Sequence, residues 1–148
     1  MATTKTSTKV WTDEERAAMK EGARERKTAS RRTPADDRAE GEADLRAKIA
    51  GMPEPDRTMA ERVDAIVTAA APDLVPKTYY GMPAYAKDGK VICFFKPKSK
   101  FKVRYATFEF QADAKLDEGA MWPVSFALTE LTPATEARIV ELVKKSVG

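Results

Sequence analysis

Histidine is absent from the 148-residue chain, and no other omission narrows its chemistry as far. Without imidazole there is no Ser-His-Asp or Cys-His arrangement to activate a nucleophile. The Cys/His sets that hold structural zinc are excluded for the same reason. A metal would have to rest on carboxylate, carbonyl and water oxygens, which suit a hard cation such as magnesium, calcium, manganese or iron. Cysteine occurs once, at Cys93, so no intramolecular disulfide forms. No apolar run approaches the roughly 20 residues of a membrane span. The Thr/Lys-rich start, Met1 to Lys9, lacks the apolar stretch of a secretory signal. Glycine-rich phosphate loops, HExxH and GxSxG are also missing. These absences lead us to expect a cytoplasmic protein with no membrane partner and no catalytic apparatus of its own.

What is present is globular in character. Hydrophobic residues make up 43% and charged residues 33% of the chain, enough for one core with a wet surface. The net charge is only +3, but it is unevenly spread. Between residues 83 and 106, Lys87, Lys90, Lys96, Lys98, Lys100, Lys102 and Arg104 face a single acid, Asp88. The excess positive charge therefore sits in one central block.

Local signals place the elements. Thr12-Asp13-Glu14-Glu15 is a capping box, which predicts a helix over 13–29. Its apolar content is thin (Ala17, Ala18, Met19, Ala23), so it should be solvated or loosely docked. Residues 30–41 are polar, contain Pro34 and read as a linker. We therefore expect residues 1–41 to be a tail, a solvated helix and a linker, and 42–148 to be the compact domain. In it, helices are expected over 42–50, with Leu45 and Ile49 on one face, and over 55–70, with Met59, Val63, Ile66, Val67 and Ala70 at helical spacing. The period then changes. Lys77 to Tyr80 looks extended and Gly81-Met82-Pro83 interrupts it. Asp88-Gly89 between extended runs signals a hairpin. Phe101 to Phe110 and Val124 to Leu128 complete the strands, and Thr132-Pro133 starts a last helix. Helices, then consecutive antiparallel strands, then a helix predict an α+β fold: two layers, a meander sheet with helices on one face, and an N-terminal helical extension.

Several words of this sequence carry a likeness. Tyr80-Gly81-Met82-Pro83-Ala84-Tyr85, Val91-Ile92-Cys93-Phe94-Phe95 and Lys100-Phe101-Lys102-Val103-Arg104-Tyr105-Ala106-Thr107 resemble the YdhG-like family of domains of unknown function. So do Leu116-Asp117-Glu118-Gly119-Ala120-Met121-Trp122-Pro123 and the upstream Ile49-Ala50-Gly51-Met52-Pro53. The resemblance spans roughly residues 42–147. It implies a small two-layer α+β domain and a non-enzymatic binding or carrier role. A related bacterial protein is regarded as a frataxin-like intracellular iron chaperone, so the resemblance also implies iron as a cargo; the basic hairpin would then dock an acidic acceptor protein electrostatically.

Three sets of residues are candidates for a site. An iron carrier needs exposed carboxylates grouped on a helix; Glu61 and Asp64 are three apart on the predicted helix over 55–70, and Glu54 and Asp56 lie at its start. Against that, acids at a helix start also complement its dipole. In the basic block, Lys102 and Arg104 should share a strand face, with Lys87 and Lys90 on the preceding hairpin. Tyr80 and Tyr85 lie near in sequence. Basic side chains beside aromatics bind phosphate or nucleic acid, and they equally keep an edge strand from aggregating. The kink at Gly81 and Pro83 could present Tyr80 and Tyr85 to a pocket that Arg104 and Trp122 complete. Buried in Val-Ile-Cys-Phe-Phe, Cys93 reads as a small hydrophobe. Three functions stand as alternatives: a YdhG-like binding or iron-carrier protein, a phosphate- or nucleic-acid-binding module at the hairpin over 87–104, and a regulatory protein-interaction domain.

Overall fold

A computed structural model describes residues 11–30 and 33–148. Helix α1 (Asp13–Ala29) is followed by α2 (Pro34–Ala50) and α3 (Asp56–Ala70). Strands β1 (Val75–Tyr79), β2 (Met82–Lys87) and β3 (Lys90–Lys96) come next, then a single turn, α4 (Lys98–Phe101). Strands β4 (Ala106–Phe110) and β5 (Ser125–Leu128) precede α5 (Pro133–Ser146). All neighbouring strands are antiparallel, and the sheet order β1-β2-β3-β4-β5 is that of the chain. This is the expected α+β meander.

The start signals act as read from sequence. Thr12 accepts the Glu15 N–H while the Glu15 carboxylate accepts the Thr12 N–H, closing the capping box. Thr132 accepts from the Thr135 N–H ahead of Pro133. The linker expected over 30–41 is overturned where it is described. Thr33 accepts the Asp36 N–H and Pro34 takes the first helical position, the same Thr-Pro signal that opens α5. Asp36 and Asp37, read as linker charges, are first-turn acids that favour the helix dipole. Helix α2 thus begins at Pro34 instead of Glu42.

One core lies between the sheet and α2, α3 and α5. Tyr85, Phe95 and Phe108 come from the sheet; Leu45, Val63, Val67 and Val143 come from the helices. Each such side chain, fully buried, contributes about 1.5–3 kcal/mol relative to exposure. A smaller cluster of Met82, Ala84 and Phe94, flanked by Tyr79, Tyr80 and Phe101, forms separately from it. Gly41 is buried in α2, where the helix comes up against the backbone of β1 at Pro76.

Two tight turns sit at opposite ends of β2. Asp88 (φ 52°) and Gly89 (φ 79°) make the hairpin the sequence announced. At the other end, Tyr80 (φ 51°) and Gly81 (φ 78°) form a second two-residue turn, closing Tyr79 onto Met82. Both central residues are left-handed, the geometry that matches strand twist.

The third strand expected, over 101–110, is shorter than its sequence suggests. Residues 98–101 coil into α4 and Lys102 ends it in the left-handed region (φ 53°), so β4 starts only at Ala106. The cause lies in α3: the buried Asp56 carboxylate accepts the Lys98 N–H (3.3 Å), the Ser99 N–H (2.9 Å) and the Ser99 hydroxyl. Capturing successive amides folds the segment into a turn. Lys102 and Arg104 therefore do not share a strand face.

Candidate functional site

The expected sites come apart when placed in the fold. Glu54 accepts from the N–H (3.0 Å) and hydroxyl (2.8 Å) of Thr58 and pairs with Arg57, so it anchors the first turn of α3. Asp56 is turned inward to hold α4. Asp64 accepts the Tyr85 hydroxyl at 2.7 Å, and Glu61 is exposed elsewhere on the helix. Among the described residues no three Cys, Asp or Glu side chains are grouped to hold a metal ion. The four carboxylates do not converge.

Nor do the aromatics and cations meet in one pocket. Tyr85 is fully buried in the main core, where burial, and then the Asp64 charge, push its phenol well above the ordinary value. Trp122 packs against the same core, whereas Tyr80 belongs to the second cluster. Arg104 is exposed with its guanidinium 5.0 Å from the Tyr105 ring centre. Lys87 donates to the Val147 carbonyl at 3.4 Å, and Lys90 pairs with Asp113 at 3.9 Å. Lys90 and Lys96 stand at the two ends of β3, roughly 20 Å apart at the usual rise per residue. Lys87 and Lys90 thus form no common surface with Lys102 and Arg104. Burial pushes the Cys93 thiol far above its ordinary range, which leaves it a packing group.

A different constellation is assembled instead. The stretch Gly51-Met52-Pro53, Gly81 of the second turn, and Pro97, Ser99 and Lys100 around α4 converge on one open cleft of about 440 Å³, which Lys48 also lines. Lys48 comes from the last turn of α2. Lys100 is placed by α4, and so by the hold of Asp56 on that turn.

Helix α1 closes over the rim of this cleft. Glu25 takes the Tyr80 N–H on one oxygen (2.8 Å) and the Gly81 N–H on the other (2.9 Å). One turn earlier, Glu21 lies between Lys48 and Lys100, at 2.5 Å from each ammonium group. Two turns before that, Glu14 pairs with Lys102 at 2.8 Å. Gly22 makes the approach possible, since a Cβ there would lie 2.5 Å from the Tyr80 ring. Gly81 is required too: its φ is positive, and any Cβ would meet the Glu21 carboxylate at 2.6 Å.

The electrostatics arise from this packing. Burial of Glu21 opposes its charge, but hydrogen bonds from Lys100 and then Lys48 outweigh that, so its carboxyl is held below the usual value. Only 17% of its side chain is exposed, so these pairs are sheltered from solvent more than ordinary surface bridges. A depressed carboxylate stabilises the folded state above its unfolded value, about 4.3 for glutamate. That contribution is lost as the pH falls through the lower folded value. The hydrogen bond from Lys102 likewise lowers Glu14.

Chemically, the turn and the two lysines form a receptor for carboxylates: two parallel N–H donors for one group, two ammonium groups for the next. In sequence terms, the signal overlooked was spacing. Glu14, Ala18, Glu21, Gly22 and Glu25 fall on one face of α1, with acids alternating with the smallest side chains. Comparison of the chain with protein-family models, with curated proteins and with solved structures finds no match in any of the three.

Proposed function

We propose that this is a non-enzymatic binding protein that takes a carboxylate-rich segment of another protein on the face formed by Lys48, Lys100, Lys102 and the Tyr80–Gly81 turn. The observation that carries the reading is the bidentate seat of Glu25 on two adjacent backbone N–H groups, beside a glutamate shared by two lysines. Paired donors at that spacing match the two oxygens of one carboxylate. The surrounding cations add attraction and orient an incoming acidic partner. The resemblance to the YdhG-like family supports a binding role in the same direction. Its iron-carrier implication has no convergent carboxylates among the described residues to rest on, and forms no part of the proposal.

The test is a titration of fluorescently labelled poly-L-glutamate with the full-length protein. Binding is expected to weaken at least about tenfold between about 50 mM and about 300 mM NaCl. It should weaken by a further factor of about ten in the K48E/K100E variant. An affinity unchanged in that variant would overturn the reading. Preference for single-stranded RNA over poly-glutamate at equal salt would support the nucleic-acid alternative in its place.

A further inference from the structure

We infer that α1 is a built-in competitor for this face, and that the partner it imitates presents an acidic helix with two carboxylates one turn apart. The inference rests on the proposed acidic-partner role of the face, and it comes from how α1 is held.

Helices that belong to a core bury an apolar stripe. Among the residues of α1, only Ala18 and Gly22 are buried. Its attachment is otherwise made of charge: Glu14 to Lys102, Glu21 to Lys48 and Lys100, and Glu25 to the turn. Open clefts flank the seat on two sides. An open cavity of about 320 Å³ separates α1 from α2 beside Glu21, Thr28 and Lys48. Another, of about 380 Å³, separates it from the sheet beside Gly22, Arg26 and Lys77. A helix seated this way leaves without opening the main core, to which it contributes no residue.

What it would leave behind is specific in shape. The Gly81 turn and the lysine pair are spaced to receive Glu25 and Glu21, four residues apart on one helix face. The Tyr80 ring lies flush against Gly22 between them, so the occupant must carry a very small residue there. A partner helix therefore needs two acids at i and i+4 with glycine next to the first. Only residues 30–33 separate the end of α1 from the start of α2, and a short tether gives the resident helix a local concentration of order millimolar. An incoming helix competes against that, and anything that unseats α1 raises the apparent affinity of the face.

The experiment uses the full-length protein and a synthetic peptide of residues 11–30. Its affinity is measured for the wild type and for two variants that unseat α1 in different ways. G22L drives a side chain into the Tyr80 ring, and E21Q/E25Q removes both charges. Circular dichroism checks that each variant is folded. Both variants are expected to bind the peptide at least about tenfold more tightly than the wild type. A peptide carrying E21Q/E25Q itself should bind neither. Equal affinity for wild type and variants overturns the competitor role while leaving the acidic-partner face intact. Failure of every form to bind either this peptide or poly-glutamate overturns both. Dimerisation of the opened variants in place of peptide binding would assign the face to α1 of a second copy and overturn the separate partner.

Discussion

Replacing Asp56 by alanine is expected to cost about 3 kcal/mol of stability and to loosen the turn that carries Lys100. The carboxylate is buried and serves the Lys98 N–H, the Ser99 N–H and the Ser99 hydroxyl together. Truncation removes the acceptor of two part-buried backbone N–H groups and one hydroxyl of α4, and hydrogen bonds to a charged group are worth about 1.5–3 kcal/mol, of which water at the freed donors restores a share. It also removes an acid from the first turn of α3. Asn in its place keeps one acceptor oxygen and should recover about half of the loss. Urea denaturation measures the total. Hydrogen exchange locates it, because the Lys98 and Ser99 amides should exchange much faster while those of β3 and β4 change only with global stability. A loss below about 1 kcal/mol, or exchange faster everywhere to the same degree, would mean that α4 is held by something other than Asp56.

Gly41→Ala should destabilise the protein by about 2 kcal/mol, against the ordinary rule for helices. In a helix interior alanine is favoured over glycine by about 1 kcal/mol. At this position a Cβ would collide with the Pro76 carbonyl oxygen and lie 3.2 Å from its carbon. The obstacle is backbone, held in β1 opposite Tyr85 of β2, so no side-chain rotation relieves it. Overpacking of this kind costs about 1–3 kcal/mol, and the strand or the helix must shift. Gly51 provides the internal control. It has an ordinary helical φ of −84°, and a Cβ there finds its nearest neighbours at 3.7 Å. Gly51→Ala should therefore be neutral or slightly stabilising. Thermal denaturation of the two variants side by side checks the contrast, and similar effects from both would contradict it.

Much of the fold is legible in the sequence, and particular residues show why. Asp88-Gly89 announces its hairpin because both residues tolerate positive φ. Tyr80-Gly81 makes the same turn but does not read as one, since tyrosine seldom takes that conformation unaided. Here the Glu25 carboxylate binds the two N–H groups that the turn leaves without a strand partner. Thr132-Pro133 reads as a helix start; Thr33-Pro34, chemically identical, is masked by the polar residues after it. The α4 turn is invisible locally because its stabilising group, Asp56, lies more than forty positions upstream.

The candidate site divides along the same line. The central block of cations is plain in the sequence, and so is the oddity of Gly81. The acids that answer them are on a helix so poor in apolar residues that it reads as solvated or loosely docked, with nothing to say where it docks. Periodicity of hydrophobic residues finds faces that bury by exclusion of water. It does not find a face that docks through glutamates and a glycine. The carboxylates expected to hold a metal come from α3 and the residues just before it, where Glu54, Asp56 and Asp64 are engaged in capping, turn formation and a tyrosine hydrogen bond.

The claim that joins these observations is that a carboxylate of α1 occupies an anion-binding turn. Hydrogen exchange at the Tyr80 and Gly81 amides, in wild type and in Glu25→Ala at neutral pH, tests it most directly. Hydrogen bonds to a charged group are worth about 1.5–3 kcal/mol, so the account predicts exchange at those two amides at least about tenfold faster in the variant, with the amides of β3 unchanged. Equal exchange at Tyr80 and Gly81 in the two proteins would contradict it.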